Sequence, residues 1–368
     1  MTSGKARLWT GISCVGTLVL LASGALLTDA PARLFPTHSV TAFQEFFCFL
    51  GFFFVVAIVM LPFDLVGGVL IPAVYESQRP LNRHWLRQWS RSVAIQSLFF
   101  SITFFMYLQI GRQTGALWLI VMFAVLQATL LAGQDFIWQA MTANWPLKSR
   151  TGVTQFVGHL DQRFVGGITG LPGLETILVP LRWEQQLRPA CLRLLIQRRQ
   201  AALKSGGRRR GILLAMLWNI LGFSLAIAAT GAVVSSVAEM LTAYFWFLLF
   251  SFSGLLLLPE LNRRSVFALD RMCADDHGRV ELQEAIVELD QLTEQDPARS
   301  AAEESVFQPV PCPVRRCDSL SSSGSRTVSA WNVARTALFL SWALGGPLAR
   351  AVHCNVGRPE LWAMLPGD

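Results

Sequence analysis

The chain has 368 residues, of which 52% are hydrophobic and 15% charged, with 25 Phe, 12 Trp and a mean hydropathy of +0.43. That is too little charge for a disordered chain and too much clustered apolar sequence for one water-soluble core, so a membrane protein is expected. A formal net charge of +7 fits cytoplasmic loops facing anionic lipid; membrane lipids are the expected partner and nucleic acid is not. The 7 cysteines are irregularly spaced, which argues against a secreted disulfide framework and for a reducing compartment.

Lys5 and Arg7 precede an apolar run at 8–27. Its length is near the ~20 residues a span needs, so it reads as an uncleaved first helix and not a signal peptide. Further apolar stretches at 46–71, 93–110, 115–133, 212–234 and 237–258 bring the expected number of spans to six. Pro62, Asp64, Gly67 and Gly68 predict that the second span breaks near 63–68, with Asp64 read as an interfacial cap in preference to a buried functional carboxylate.

Basic residues set the orientation, because loops rich in Lys and Arg stay inside. They gather at 5–7, 79–91, 148–210 and 263–264, alternating with nearly uncharged short loops. The expectation is a plasma (inner) membrane protein with both termini cytoplasmic.

Arg79, Arg83, Arg87 and Arg91 recur every fourth residue beside Trp85 and Trp89. At helical spacing this predicts an interfacial helix at 77–91, lipid-facing, with generic anchoring preferred to a specific lipid site. The four-span region 1–133 is followed by a polar, basic insert at 134–211, which reads as a β-hairpin plus a helix over 189–204. After a two-span hairpin at 212–258, the cytoplasmic segment 259–318 reads as helices at 265–275 and 278–295. In the second of these Leu282, Ile286 and Leu289 face inward and the glutamates outward, solvated in preference to docked on the insert. A Ser/Gly linker at 319–330 and a C-terminal amphipathic or re-entrant helix with a tail, 331–368, complete the chain.

No P-loop, nucleophile elbow, dinucleotide glycine pattern or HExxH is present, and the spans carry almost no carboxylates. Cys312, Cys317, His353 and Cys354 supply zinc-type donors at an unfavourable spacing, so unligated thiols are the preferred reading and no cofactor or metal is expected.

The order of the pieces carries a resemblance. GGITGLPGLETILVP at 166–180, LRPACLRLLIQRRQAA at 187–202, two spans, NRRSVFALD at 262–270 and VFQPVPCPVR at 306–315 follow one another. This layout resembles metallopeptidase family 48, the membrane zinc proteases of HtpX-like and CAAX prenyl endopeptidase type. In that family a hairpin precedes an HExxH helix, and a later RxxExxAD-like stretch supplies the third zinc ligand.

The resemblance places the first His at Arg198, the general-base Glu at Arg199, the second His at Ala202 and the third-ligand Glu at Val266. Every catalytic group is therefore replaced, while Arg263, Asp270, Pro309 and Arg315 stand at family-like positions. It implies a mainly α, multi-pass membrane helical bundle with a small α+β cytoplasmic metallopeptidase-like lobe. It also implies a strand, Thr176, Ile177, Leu178 and Val179, that would take an extended segment of a partner.

The expected function is accordingly a non-catalytic pseudo-protease, an adaptor or quality-control scaffold for another membrane protein or an unfolded segment. A lipid-organising protein acting through its basic segments is the first alternative. The second is an active metalloendopeptidase using substitute ligands such as His159, His277, Cys312 or His353.

Overall fold

The computed structural model describes residues 2–38, 40–75, 82–142, 149–151, 153–158, 164–293, 296–305, 308–322 and 324–363. It is mainly helical. In chain order come α1 (Ser3–Leu27), α2 (Ala30–Leu34), α3 (Ala42–Leu65), a π turn (Val66–Leu70), α4 (Ile71–Tyr75), α5 (Asn82–Thr114), α6 (Ala116–Ala132) and α7 (Gln134–Thr142). Strands β1 (Ser149–Thr151), β2 (Thr154–Val157), β3 (Gly167–Thr169) and β4 (Thr176–Pro180) lead to α8 (Trp183–Gln186) and α9 (Pro189–Lys204). The rest is α10 (Gly207–Ala229), α11 (Val237–His277), α12 (Arg279–Leu292), α13 (Ala301–Ser305), α14 (Pro313–Ser319), α15 (Val333–Leu340), a 3-10 turn (Ser341–Leu344) and α16 (Leu348–Ala351).

Among the described residues five helical runs are long and apolar enough to cross a bilayer: α1, α3 through α4, α5, α10 and α11. The expected fourth span, α6, has only 17 residues and reaches spanning length only together with α7, from which it is bent by 63°. The chain divides into two compact units, one of Met1–Leu130, Met216–Gly254 and Leu338–Ala363, the other of Leu131–Ala215 and Leu255–Ala337.

The first unit is held by aromatic packing. Phe53 meets Phe104 edge-on with centroids 4.9 Å apart, joining α3 to α5. Phe123 stacks on Phe223 at 4.5 Å, joining α6 to α10. Local sequence starts its helices: Thr41 and Gln44 form a reciprocal capping box for α3, and Ser236 and Glu239 do the same for α11, at 3.2 and 3.1 Å.

Three expectations are corrected in this unit. The helix does not break at 63–68 but passes through the π turn, and Asp64 is fully buried, not an interfacial cap. The basic segment is not a separate interfacial helix: α5 runs unbroken from Asn82 to Thr114, because Ser92 and Val93 continue the helix without a Gly or Pro between the Arg row and the apolar run. The C-terminal segment, expected as an amphipathic or re-entrant helix with a tail, is instead packed inside, with Trp342, Leu344, Arg350, Asn355 and Trp362 buried within the unit.

The second unit carries a four-stranded sheet in the order β1-β2-β4-β3. β4 pairs parallel with β2, Thr154 opposite Ile177, and antiparallel with β3, Ile168 opposite Ile177. The sheet packs on α9, α11 and α12 through Ile168, Ile177, Trp183, Leu195, Leu269 and Leu282. The inward face of α12 is as expected: Leu282, Ile286 and Leu289 are all buried. The expected helix at 265–275 is the end of α11, which stops only at Gly278. The Ser/Gly stretch is fixed rather than slack, with Arg210 donating to the carbonyls of Val328 and Ser329, and Arg271 to that of Ser325.

Candidate functional site

The positions the resemblance assigns to the zinc site lie in the interior of the second unit. Arg198, Arg199, Ala202 and Val266 are each at most 2% exposed. Arg198 Nε donates to Asp270 Oδ1 at 2.7 Å. Arg316, on α14, donates to the same carboxylate through Nη2 to Oδ1 at 2.9 Å and Nε to Oδ2 at 2.8 Å. Two cations thus enclose one carboxylate with no exposure to water, so each charge depends on the others.

Arg199 takes a different task. Its Nη1 donates to the carbonyl of Leu178 at 2.7 Å and its Nη2 to that of Val165 at 2.5 Å, and its guanidinium lies 5.1 Å from the Trp183 ring centroid. Arg208 likewise donates to Gly170 O at 2.6 Å. The arginines therefore tie the sheet to the helices. The Cβ absent at Gly166 would lie 2.1 Å from Leu178 O, so only glycine permits this crossing.

This geometry corrects the expected partner-binding strand. Thr176, Ile177, Leu178 and Val179 are in β4, an interior strand with neighbours on both sides, and Ile177, Leu178 and Val179 are buried. A strand whose two edges are already paired offers no ladder to an incoming peptide.

The family-like positions are also structural. Arg263 Nη1 donates to the carbonyls of Glu304 and Gln308 at 2.7 and 3.0 Å, and Pro309 O accepts from Asn262 at 2.6 Å. Arg315 pairs with Glu304, whose other oxygen accepts the Cys312 N–H at 2.7 Å. Of the neighbouring pair it is Arg316, not Arg315, that joins Arg198 on Asp270. Sequence reasoning missed Arg316 and Glu304, for which the signals were the doubled Arg315-Arg316 and a glutamate eight residues before Cys312. Among the described residues no group of three His, Cys, Asp or Glu is placed to hold a metal ion. His277 is exposed, and His159 lies outside the described residues.

A second buried charge cluster lies in the first unit. Arg350 donates to Asp64 Oδ2, and Trp89 Nε1 donates to the same oxygen at 2.9 Å. Gly357 N donates to Oδ1 at 2.9 Å. Arg350 sits 4.2 Å from the Trp362 ring centroid and 5.6 Å from that of Trp89. The carbonyl of Gly67, in the π turn, accepts from the buried Arg7 at 3.0 Å.

Close backbone approach seats the later segment in this place. A Cβ on Gly67 would lie 2.3 Å from Val356 O, and one on Gly68 2.2 Å from Gly357 O. The π turn with its glycine pair therefore receives residues 356–357.

The lipid-facing row divides accordingly. Arg83, Arg87 and Arg91 are exposed on one face of α5. Trp85 and Trp89 are not lipid-facing but turned inward, half-buried, with Trp85 Nε1 donating to Gly357 O at 2.8 Å and Trp89 to Asp64. Arg79 lies outside the described residues.

These features define a mainly helical membrane protein whose described residues include the buried ion-pair centres around Asp270 and Asp64. No family model matches the sequence, and no curated protein matches it either.

Proposed function

We propose that this chain is a non-catalytic, multi-pass scaffold of the plasma membrane, with both termini cytoplasmic, whose second unit is a family-48-like lobe in which structural ion pairs occupy the zinc positions. The observation that carries the reading is Asp270 held by Arg198 and Arg316 at 2.7–2.9 Å. The residue at the first-ligand position, Arg198, and the carboxylate at a family-like position, Asp270, meet as an ion pair. Guanidinium groups at that spot repel a divalent cation and need no metal for stability.

Its partner is another membrane protein, engaged by a surface other than β4. Elemental analysis of the detergent-purified protein, with a chelator-treated control, tests the reading together with hydrolysis of an unstructured protein substrate. No zinc above background and no cleavage are expected. One tightly held zinc per chain, or chelator-sensitive cleavage, overturns it.

A second reading, organisation of anionic lipid, is favoured by one observation: Arg83, Arg87 and Arg91 are exposed on consecutive turns at the start of a spanning helix. Replacing all three by Gln should abolish enrichment of phosphatidylglycerol around the protein in mixed bilayers. Unchanged enrichment rejects this reading and leaves the scaffold reading intact.

A further inference from the structure

We propose that the first unit holds one acyl chain of a membrane glycerophospholipid in a groove between α1, α3 and α11, with the lipid phosphate bound by Arg33. The proposal rests on the chain lying in a membrane and is independent of the fate of the zinc positions.

The groove has a volume of about 620 Å3. α1 contributes Leu18 and Leu21, α3 contributes Phe47, Gly51 and Val55, and α11 contributes Leu248. Along α3 it runs from Phe47 to Val59, a rise of roughly 18 Å. Half the hydrocarbon core of a bilayer is about 15 Å, so the groove matches the depth of one leaflet.

Its walls select the occupant by chemistry. The lining is hydrocarbon and aromatic apart from Cys48 and Tyr244, so it offers an extended peptide no ladder of donors and acceptors. At Gly51 a Cβ would meet no heavy atom within 4 Å, which makes this residue the open floor of the groove.

The polar end of the ligand is also provided for. α2 closes the groove with Pro31 and Leu34 and carries Arg33 between them. Arg33 is exposed, and its guanidinium engages no acceptor among the described residues. α2 lies between two spanning helices, α1 and α3, where the chain turns at the membrane surface. A phosphate there gains the bidentate, charge-assisted contact that a free guanidinium offers, while its acyl chain runs down the groove.

The test is native mass spectrometry of the full chain released from detergent micelles supplemented with phosphatidylglycerol. Wild-type protein should keep one lipid mass per chain. Gly51→Phe and Val55→Trp, which fill the groove from its open side, should each lower the retained fraction at least ~10-fold, and Arg33→Gln at least ~3-fold. Gly51→Ala, adding one carbon in open space, should keep the lipid, and the unfolding midpoint of each variant checks folding. No retained lipid in the wild type, or equal retention in folded filling variants, overturns the proposal. So does loss of a dimer in those variants without any lipid adduct, because the groove then belongs to a second copy of the chain.

Discussion

Arg350 donates to Asp64 Oδ2 through both Nε, at 3.0 Å, and Nη2, across 286 residues of chain. Both side chains are buried, at 4% and 0% exposure. The pair fixes the segment after 337 against α3, and Trp89, Trp362 and the Gly357 N–H complete its surroundings.

Removing one partner leaves the other charge without compensation. Asp64→Ala should therefore destabilise the detergent-solubilised protein by about 3–5 kcal/mol. The double variant Asp64→Asn/Arg350→Met should recover part of that loss, since neither member then carries a buried charge. Thermal unfolding measures both, and an unchanged midpoint for Asp64→Ala would count against a stabilising pair.

The glycine pair of the π turn gives a sharper test of the same docking. Gly67→Ala forces its Cβ against Val356 O and should displace the 356–357 backbone, making residues after 350 sensitive to limited proteolysis. Gly16→Ala meets nothing within 4 Å and should leave the digestion pattern alone. Equal patterns for the two variants refute the close approach.

In the second unit, Asp270→Ala leaves two buried arginines without their shared carboxylate, whereas Arg198→Met removes only one of the two cations. Asp270→Ala should thus be the more damaging change. A double-mutant cycle between positions 198 and 270 should give a coupling above ~1 kcal/mol, as expected of residues in direct contact. Additive effects would mean that the ion pair contributes nothing to stability. Chelators should not alter the wild-type unfolding midpoint.

Between α9 and α12, Arg188 pairs with Glu284 at 2.9 Å and Glu288 at 2.8 Å, and Cys191 donates its thiol to Glu288 at 3.0 Å. Partial burial raises the Glu288 carboxyl, but the Cys191 thiol and the Arg188 N–H and guanidinium outweigh it and hold it below its ordinary value of 4.5. A carboxyl lower in the folded than in the unfolded state contributes stability above 4.5 that is lost as pH falls through the folded value. Glu288→Gln should flatten the acid limb of the stability profile by lowering stability at neutral pH, where the carboxylate is charged, and the loss should be small because the partners are partly exposed. Burial and the Glu288 carboxylate push the Cys191 thiol up to about 11, so in folded protein near neutral pH it should react with a maleimide far more slowly than after unfolding. A fast native reaction would contradict this contact.

What was legible in the sequence was local. Apolar runs of spanning length mark α1, α3, α5, α10 and α11, and the spacing of Leu282, Ile286 and Leu289 gives the buried face of α12. The Arg79–Arg91 row was read as one lipid-facing stripe because its period is real. Yet its tryptophans point to Gly357 and Asp64, partners that no helical period reveals.

Composition and hydropathy by themselves determined that this is a helical membrane protein, because lipid accepts only long runs that satisfy their own backbone. Tertiary structure alone decided which charges are buried. Asp64 with Arg350, and Asp270 with Arg198 and Arg316, lie far apart in the chain, and an ionised group is tolerated in the interior only where a distant counter-charge arrives. The same holds for β4, which reads as a free hairpin strand until β2 pairs with its other edge. A strand's second neighbour is fixed by the path of the whole chain, not by its own residues.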